Sequence, residues 1–368
     1  MKPTQLLTRT ECTALRGIAI LAIVLHNYCH WLRGMVHENE YNYNQDNVDA
    51  LMRVVSHPDG NLFIQIMSFF GHYGVPIFLF LSAYGLVMKY ELSPNQPQRN
   101  VYQLQTNLLT RFKAWGLEVW RFVRYHYLKL FRMMIIGFVL FLMVDNITPG
   151  AHHYRAVDVL AQVFMVNNFM PEPHHVIWPG PYWFFGLMLQ LYIVYRLVFY
   201  KRHWGVVLGF IAACTLAQYL CGPGSDALNY LRYNFVGSIL PFGIGLLYAR
   251  LNQQFVGFWY NLLFFVLSLM LILNYSNGFT AWLFVPMFVC SAGFTMVKIL
   301  PQFLLTGLEW VGKISAALFV VHPILRKIFI PISRRGDIYT GLIIYVLASI
   351  CVAYLFNELL KRLPQPKY

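Results

Sequence analysis

Residues 251–297, LNQQFVGFWYNLLFFVLSLMLILNYSNGFTAWLFVPMFVCSAGFTMV, contain no Asp, Glu, Lys or Arg over 47 positions. A helix that crosses a bilayer needs about twenty mostly apolar residues. The stretch is therefore too long for one spanning helix, and it carries a turn-forming cluster, NYSNG, at residues 274–278. These features predict two consecutive transmembrane helices.

The composition of the whole chain agrees with this local signal. Of 368 residues, 58% are hydrophobic, 17% are aromatic and only 12% are charged, whereas a soluble domain has about 25% charged residues. We therefore predict an all-α, multipass integral membrane protein with a single membrane-embedded domain, residues 1–368. The net charge of +13 does not indicate nucleic-acid binding, because the basic residues cluster in alternate loops, as membrane orientation requires.

Apolar runs of similar length recur along the chain and predict about ten transmembrane helices. By residue number, the predicted spans are 12–32, 73–88, 130–146, 182–200, 203–221, 231–249, the two within 251–297, 310–329 and 338–360. With both termini cytoplasmic, 20 Lys and Arg residues fall on the inner side and 8 on the outer side. That excess predicts this orientation, although the last outer loop, RKIFIPISRRGD, is basic.

The first predicted span carries Arg16, His26 and His30. Ionisable residues inside a membrane are costly and indicate a functional site by default. His26 and His30 are one helical turn apart and share a face. The alternative is that Arg16 extends to the inner surface and that the histidines only make hydrogen bonds between helices.

Six segments, in order, resemble the acyltransferase-3 family of membrane O-acyltransferases. They are LRGIAILAIVLHNYCHW (15–31), GHYGVPIFLFLSAYGLVMKYE (71–91), RFVRYHYLKLFRMM (121–134), YWFFGLMLQLYIVYRL (182–197), WVGKISAALFVVHPIL (310–325) and AYLFNELLKR (353–362). The resemblance implies transfer of an acyl group, by expectation acetyl, from acyl-CoA in the cytoplasm to a hydroxyl of a cell-surface or exported carbohydrate. It implies a bacterial inner (plasma) membrane. We also expect no metal, for a reason given below.

The resemblance also suggests roles for individual residues. We expect His26 to be the general base or a transient acyl carrier, with Asn27, His30, Arg16 and His322 assisting it. The expected ligands of the acyl-CoA phosphates are Arg16, Arg121, Arg124, Lys129 and Arg132, mostly in a predicted inner loop, residues 111–132. The expected substrate contacts are Ser82, Trp183, Tyr192 and Ser315.

Depth along the predicted helices suggests that His26, His322, Ser82 and Tyr192 meet in mid-membrane. Other roles are compatible with the same residues. His322, Ser82, Trp183, Tyr192 and Ser315 could serve in packing, and the basic segment could bind anionic lipid.

Three positions depart from the family pattern. Nine residues rather than ten separate Arg16 from His26, so Asn27 occupies the position of the family's histidine. Met188 stands where a glutamate is often found, and Ala83 replaces a glycine. Either His26 or His30 could therefore be the working histidine.

Zinc binding and transport are the alternatives to acyl transfer. The loop histidines His152, His153, His174 and His175 lack the spacing of a closed zinc site. A transporter or flippase of a lipid-linked sugar would also have basic inner loops and polar residues at mid-membrane.

Overall fold

The computed structural model describes residues 6–93, 108–251 and 257–367. This part of the chain is α-helical and contains no strand. Its helices are α1 (Arg9–Cys29), α2 (Gln45–Ser56), α3 (Leu62–Phe70), α4 (Gly74–Tyr90), α5 (Leu108–Ile147), α6 (Ala156–Val163), α7 (Pro173–Val176), α8 (Trp183–Val194), α9 (Trp204–Cys221), α10 (Asp226–Tyr233), α11 (Phe235–Leu251), α12 (Phe258–Tyr275), α13 (Phe279–Trp282), α14 (Val285–Ile299), α15 (Gln302–Lys313), α16 (Ser315–Arg335) and α17 (Ile338–Arg362).

Within those ranges, eight helical segments are long and apolar enough to cross a membrane. They are Arg9–Cys29, Leu62–Tyr90, Leu109–Ile147, Gly180–Phe199, Trp204–Cys221, Phe258–Tyr275, Ser315–Arg335 and Ile338–Arg362. The pair α10 and α11, bent by 45°, gives a ninth if it is one span, and α14 is a shorter apolar helix of 15 residues. These segments confirm an all-α multipass protein, with eight or nine candidate spans in the described part of the chain rather than the predicted ten. The second span predicted within 251–297 falls on α14, which is too short to count as a candidate span.

The predicted inner loop at residues 111–132 is wrong, because the structure makes it part of α5. This helix runs without a break for 40 residues, which is roughly 60 Å, about twice the hydrocarbon thickness of a bilayer. Hydropathy detects only the apolar half of such a helix. Because Arg and Lys are good helix formers, a run of basic residues does not end the helix.

The start of the ninth predicted span, at residue 310, is also wrong. Residues up to Lys313 belong to α15, and a new helix begins at Ser315. Only Ile314 separates the two helices, and a break at one apolar residue does not show in a hydropathy profile.

Helix α1 lies in the middle of the bundle and contacts α3, α4, α15 and α16. Its first turn is closed by a capping box between Thr8 and Glu11, an arrangement that satisfies two free backbone N–H groups. Further along, α1 and α15 approach closely at Gly17 and Gly312. A Cβ at Gly312 would lie 1.8 Å from the carbonyl oxygen of Thr13, so only glycine permits this crossing.

We call the end of α1 at Cys29 the outer end, following the predicted orientation. The segment after α5 is held to this end by Asp145, a fully buried carboxylate. Asp145 accepts hydrogen bonds from the ammonium of Lys327, the backbone N–H of His152 at 2.8 Å and the hydroxyl of Tyr154 at 2.9 Å. These contacts join α5, α16 and the long segment that follows α5.

Candidate active site

A cavity of about 390 Å³ opens beside the inner half of α1. Small-molecule sites are usually roughly 300–1,000 Å³. Its basic side chains are Arg16, Lys89 and Lys129. We call this space the inner cavity. It brings together five of the predicted site residues, namely Arg16, Ser82, Lys129, Tyr192 and Ser315.

The aromatic wall of the inner cavity includes His126, a residue that sequence reasoning missed. Its ring lies 4.2 Å from the ring of Tyr192, and its Nε2 is 3.3 Å from the hydroxyl of Tyr90. Lys89, which sequence analysis used only for orientation, lies 4.8 Å from the ring centres of both Tyr90 and Tyr125. Three cations and a histidine thus surround one space.

The remaining residues predicted to bind phosphate lie elsewhere. Arg121 and Arg124 are exposed on α5 and do not line the inner cavity. Arg132 donates to the carbonyl oxygens of Leu360, Leu363 and Pro364 at 3.0–3.3 Å. A cation at a helix C-terminus is stabilising there, so Arg132 is engaged in holding the end of α17.

A second cavity, of about 250 Å³, lies at the outer end of α1. We call it the outer cavity. Four predicted site residues line it: His26, Asn27, His30 and Trp183. Sequence reasoning missed other polar residues in its wall, namely Glu38, Glu40, Tyr41, His72, Tyr233 and Arg326.

His26 is held in one orientation by α3. Its Nδ1 lies 2.9 Å from the carbonyl oxygen of Ser68, and a carbonyl oxygen can only accept. Nδ1 therefore carries the hydrogen, and Nε2 has the free lone pair. This contact requires Gly71, because a Cβ there would lie 2.6 Å from the Cβ of His26. The neutral imidazole is thus in the tautomer that suits a base at Nε2.

Two more histidines lie against His26. The ring of His30 is 4.6 Å away, and that of His72 is 5.5 Å away. Among the described residues, nothing bonds to the Nδ1 of His30 or to either ring nitrogen of His72. Buried polar atoms without partners are uncommon in folded proteins. They indicate that this side of the cavity is built to bind polar groups.

Glu38 brings a carboxylate to the same place from the segment that follows α1. The ligand atoms of His26, His30 and Glu38 lie within 4.8 Å of one another. Two histidines and a carboxylate can bind a divalent cation or act as a proton relay. The guanidinium of Arg326 lines the same cavity and adds a positive charge to it.

Glu40 has a different electrostatic environment from an ordinary surface carboxylate. Burial, and then the charge of Glu38, raises the pKa of Glu40 to about 8. Its hydrogen bond with Tyr41 and the charge of Arg232 act in the opposite direction. Glu40 is therefore mainly neutral at pH 7.

His322 does not line either cavity. It is fully buried, its Nδ1 lies 3.1 Å from the carbonyl oxygen of Leu318, and its Nε2 has no partner among the described residues. The following residue is Pro323, which cannot donate a backbone hydrogen bond. The structure thus places His322 beside the site, 5.8 Å from the ring of Phe319.

The two cavities meet at Phe184 and Phe319, which line both of them. The prediction that His26, His322, Ser82 and Tyr192 share one site is wrong. His26 lies in the outer cavity, and Ser82 and Tyr192 lie in the inner one. Counting residues along a helix axis predicts only how deep a side chain lies. These side chains are separated because their helices present them to different cavities.

The family follows from comparison with known proteins. The sequence model of acyltransferase 3, described as an acyltransferase domain, matches residues 11–358, nearly the whole chain. The chain belongs to the acyltransferase 3 family. No curated protein and no solved structure matches it. The protein is therefore a multipass membrane acyltransferase, an enzyme that uses an acyl donor.

The structure shows where the departures from the family's sequence pattern lie. In this acyltransferase, His26 and Asn27 both line the outer cavity, so the one-residue shift does not remove the histidine from the site. Asn27 donates to the carbonyl oxygen of Ile23 at 3.0 Å. Met188, which stands where the resemblance leads us to expect a glutamate, lines the inner cavity. Glu38 supplies a carboxylate to the outer cavity, within 4.8 Å of ligand atoms of His26 and His30.

Proposed function

We propose that this enzyme is an acyl-CoA-dependent O-acyltransferase that moves an acetyl group to a hydroxyl of a cell-surface or exported carbohydrate. The observation that carries the proposal is the pair of cavities that meet at Phe184 and Phe319. One cavity is cationic, the other contains histidines, and together they provide a route for a thioester. We place the protein in a bacterial inner membrane with both termini in the cytoplasm, in agreement with the distribution of Lys and Arg.

The inner cavity suits the phosphate groups of acyl-CoA. Arg16, Lys89 and Lys129 are three cations that line this space. Arginine binds phosphate bidentately, and lysine binds it as a point charge. With the phosphates near these residues, the thioester end points toward Phe184 and Phe319.

The outer cavity suits the transfer step. The Nε2 of His26 takes the proton from the acceptor hydroxyl as the hydroxyl oxygen attacks the thioester carbonyl carbon. The tetrahedral intermediate collapses, the carbon–sulfur bond breaks, and His26 returns the proton to the CoA sulfur. The product is an ester and free CoA.

His30 and Glu38 support His26 in this scheme. Their unpartnered Nδ1 and Oε2 atoms are available to stabilise the protonated imidazole, either directly or through water. Arg16 binds the donor and takes no part at the acceptor hydroxyl. We assign His322 a positioning role for Phe319, because it contacts that ring and lies outside both cavities.

The experiment uses purified full-length protein in lipid nanodiscs with acetyl-CoA radiolabelled in the acetyl group. Neutral and acidic methyl glycosides are offered as acceptors. The proposal expects label in a glycoside, with an equal amount of free CoA released only when that glycoside is present. In the rival scheme, a transporter of lipid-linked sugars, the thioester stays intact and a labelled sugar crosses a liposome membrane. That result would reject the proposal.

A further inference from the structure

Arg326 is a buried cation in the wall of the outer cavity. Arg326 is only 5% exposed, and it lies on α16, four residues after His322. Its Nη1 donates to the backbone oxygen and to the Oδ1 of Asn27, each at a long distance of 3.4 Å. Its guanidinium carbon lies 4.7 Å from the centre of the Trp31 ring. The guanidinium therefore borders both the cavity and the residue next to His26.

Arg326 has no opposing charge within reach. In residues 6–93, 108–251 and 257–367, no carboxylate oxygen lies within 4.0 Å of its nitrogens. The next residue, Lys327, differs in this respect, because it pairs with Asp145. Burying an unpaired ion is energetically costly, and a guanidinium has five N–H donors. Two long hydrogen bonds leave most of this capacity unused.

We propose that Arg326 binds an anionic group, a carboxylate or a phosphate, on the acceptor. The inference rests on the proposed function, since it takes the outer cavity as the acceptor site. Guanidinium matches the geometry of both anions bidentately. Binding there would supply the missing counter-charge, and an intramembrane arginine that faces a cavity is a functional group by default.

The rest of the cavity wall suits the ring of a sugar. Trp31, Tyr41, Trp178, Trp183 and Tyr233 all border it. Tyr41 and Tyr233 stack with ring centres 4.0 Å apart, and Trp183 meets Tyr41 edge to face at 5.4 Å. Flat aromatic faces with a polar handle pack against the C–H faces of sugars and leave hydroxyls free for hydrogen bonds. The acceptor class is thus an acidic or phosphorylated sugar.

The charges in the cavity also orient such an acceptor. Arg326 and His26 both lie against Asn27, whereas Glu38 and Glu40 come from the loop after α1. An anionic group is attracted to Arg326 and repelled by Glu38. The acceptor therefore enters with its anion at α16, which brings the neighbouring hydroxyls toward His26.

The test measures binding directly and does not need turnover. Affinities of full-length protein in nanodiscs are compared for methyl glucuronide, glucose 1-phosphate and methyl glucoside. We expect the wild type to bind one or both anionic probes more tightly than the neutral one. Arg326→Gln should weaken anionic binding roughly ten- to hundredfold and leave the neutral probe unchanged, while Arg326→Lys should retain part of the preference.

Arg335→Gln is the matched control, because Arg335 is an exposed arginine on the same helix. Thermal melting of each variant establishes that it is folded. Equal affinity for all three probes, no detectable binding, or an Arg326→Gln variant that keeps its preference would overturn the inference. The inference would also be overturned if Arg326→Gln left binding unchanged and lowered kcat equally for neutral and acidic acceptors. That pattern indicates that Arg326 stabilises the oxyanion. Selective anion binding without acetyl transfer would instead reject the proposed function.

Discussion

Phe184 and Phe319 contact each other with ring centres 5.1 Å apart, and each ring borders both cavities. Their two helices, α8 and α16, come from distant parts of the chain. The pair therefore forms the boundary between the cationic inner cavity and the histidine-lined outer cavity. An acyl group that travels from one to the other must pass these rings.

The size of this passage should decide which acyl groups are accepted. Phe319→Leu widens it, and we expect the ratio of butyryl-CoA to acetyl-CoA turnover to rise roughly threefold or more, because pocket volume discriminates between chain lengths. The ratio is measured as CoA release at equal protein abundance. Phe210→Leu, a partly buried phenylalanine on α9, is the control. An unchanged ratio in Phe319→Leu would mean that the acyl group takes another route.

The inner cations should contribute to donor binding rather than to the chemical step. Lys129→Ala and Arg16→Ala remove charges from the inner cavity, and we expect KM for acetyl-CoA to rise roughly five- to tenfold with a small change in kcat. Arg121→Ala and Arg124→Ala, on the exposed part of α5, should leave KM unchanged. The opposite pattern would place the donor phosphates along α5 instead.

Glu40 should make acceptor binding depend on pH in the alkaline range. Its pKa of about 8 means that it is protonated at pH 7 and gains a negative charge as pH rises through 8. An ionised Glu40 beside Glu38 repels an anionic acceptor, although Arg232 partly offsets this charge. We expect KM for methyl glucuronide to rise about three- to tenfold between pH 7 and pH 9, with no such rise for methyl glucoside.

Glu40→Gln isolates this effect, because the amide cannot ionise. The variant should keep a constant ratio of acidic to neutral acceptor KM across the same pH range. If its ratio still rises near pH 8, another group is responsible.

Acetyl transfer should not need a metal ion, although His26, His30 and Glu38 form a donor set. Treatment with a chelator, followed by dialysis, should leave turnover within about twofold of the untreated protein, and elemental analysis should find no stoichiometric metal. A zinc ligand must be a lone-pair nitrogen, which would occupy the Nε2 that acts as the base. One bound metal per protein, lost in His26→Ala and required for turnover, would replace the base assignment.

The sequence predicted the membrane fold well, because hydropathy over twenty residues depends only on local composition. It could not show that α5 continues through its basic half, since charge lowers hydropathy without breaking a helix. It predicted His26 and His30 as site residues from their place in an apolar span, their i, i+4 spacing and the family resemblance, and both line the outer cavity. It missed Glu38 and His72 as site residues, because their positions depend on how the chain folds back over α1.

Arg326 illustrates the same limit. In the sequence it counts among the outer basic residues, next to Lys327. Only packing shows that Lys327 reaches Asp145 while Arg326 faces the outer cavity. Likewise, Ser82 and Tyr192 line the inner cavity, which the position of a residue along a predicted helix does not show.

The most direct measurement compares acetyl transfer by the wild type, His26→Ala and His30→Ala at matched membrane abundance. Loss of a general base lowers the rate by roughly 10²–10⁴-fold. We predict a loss of this size in His26→Ala with an unchanged KM for acetyl-CoA, and a smaller loss in His30→Ala. Wild-type activity in His26→Ala would contradict the account, and a full loss in His30→Ala alone would move the base to His30.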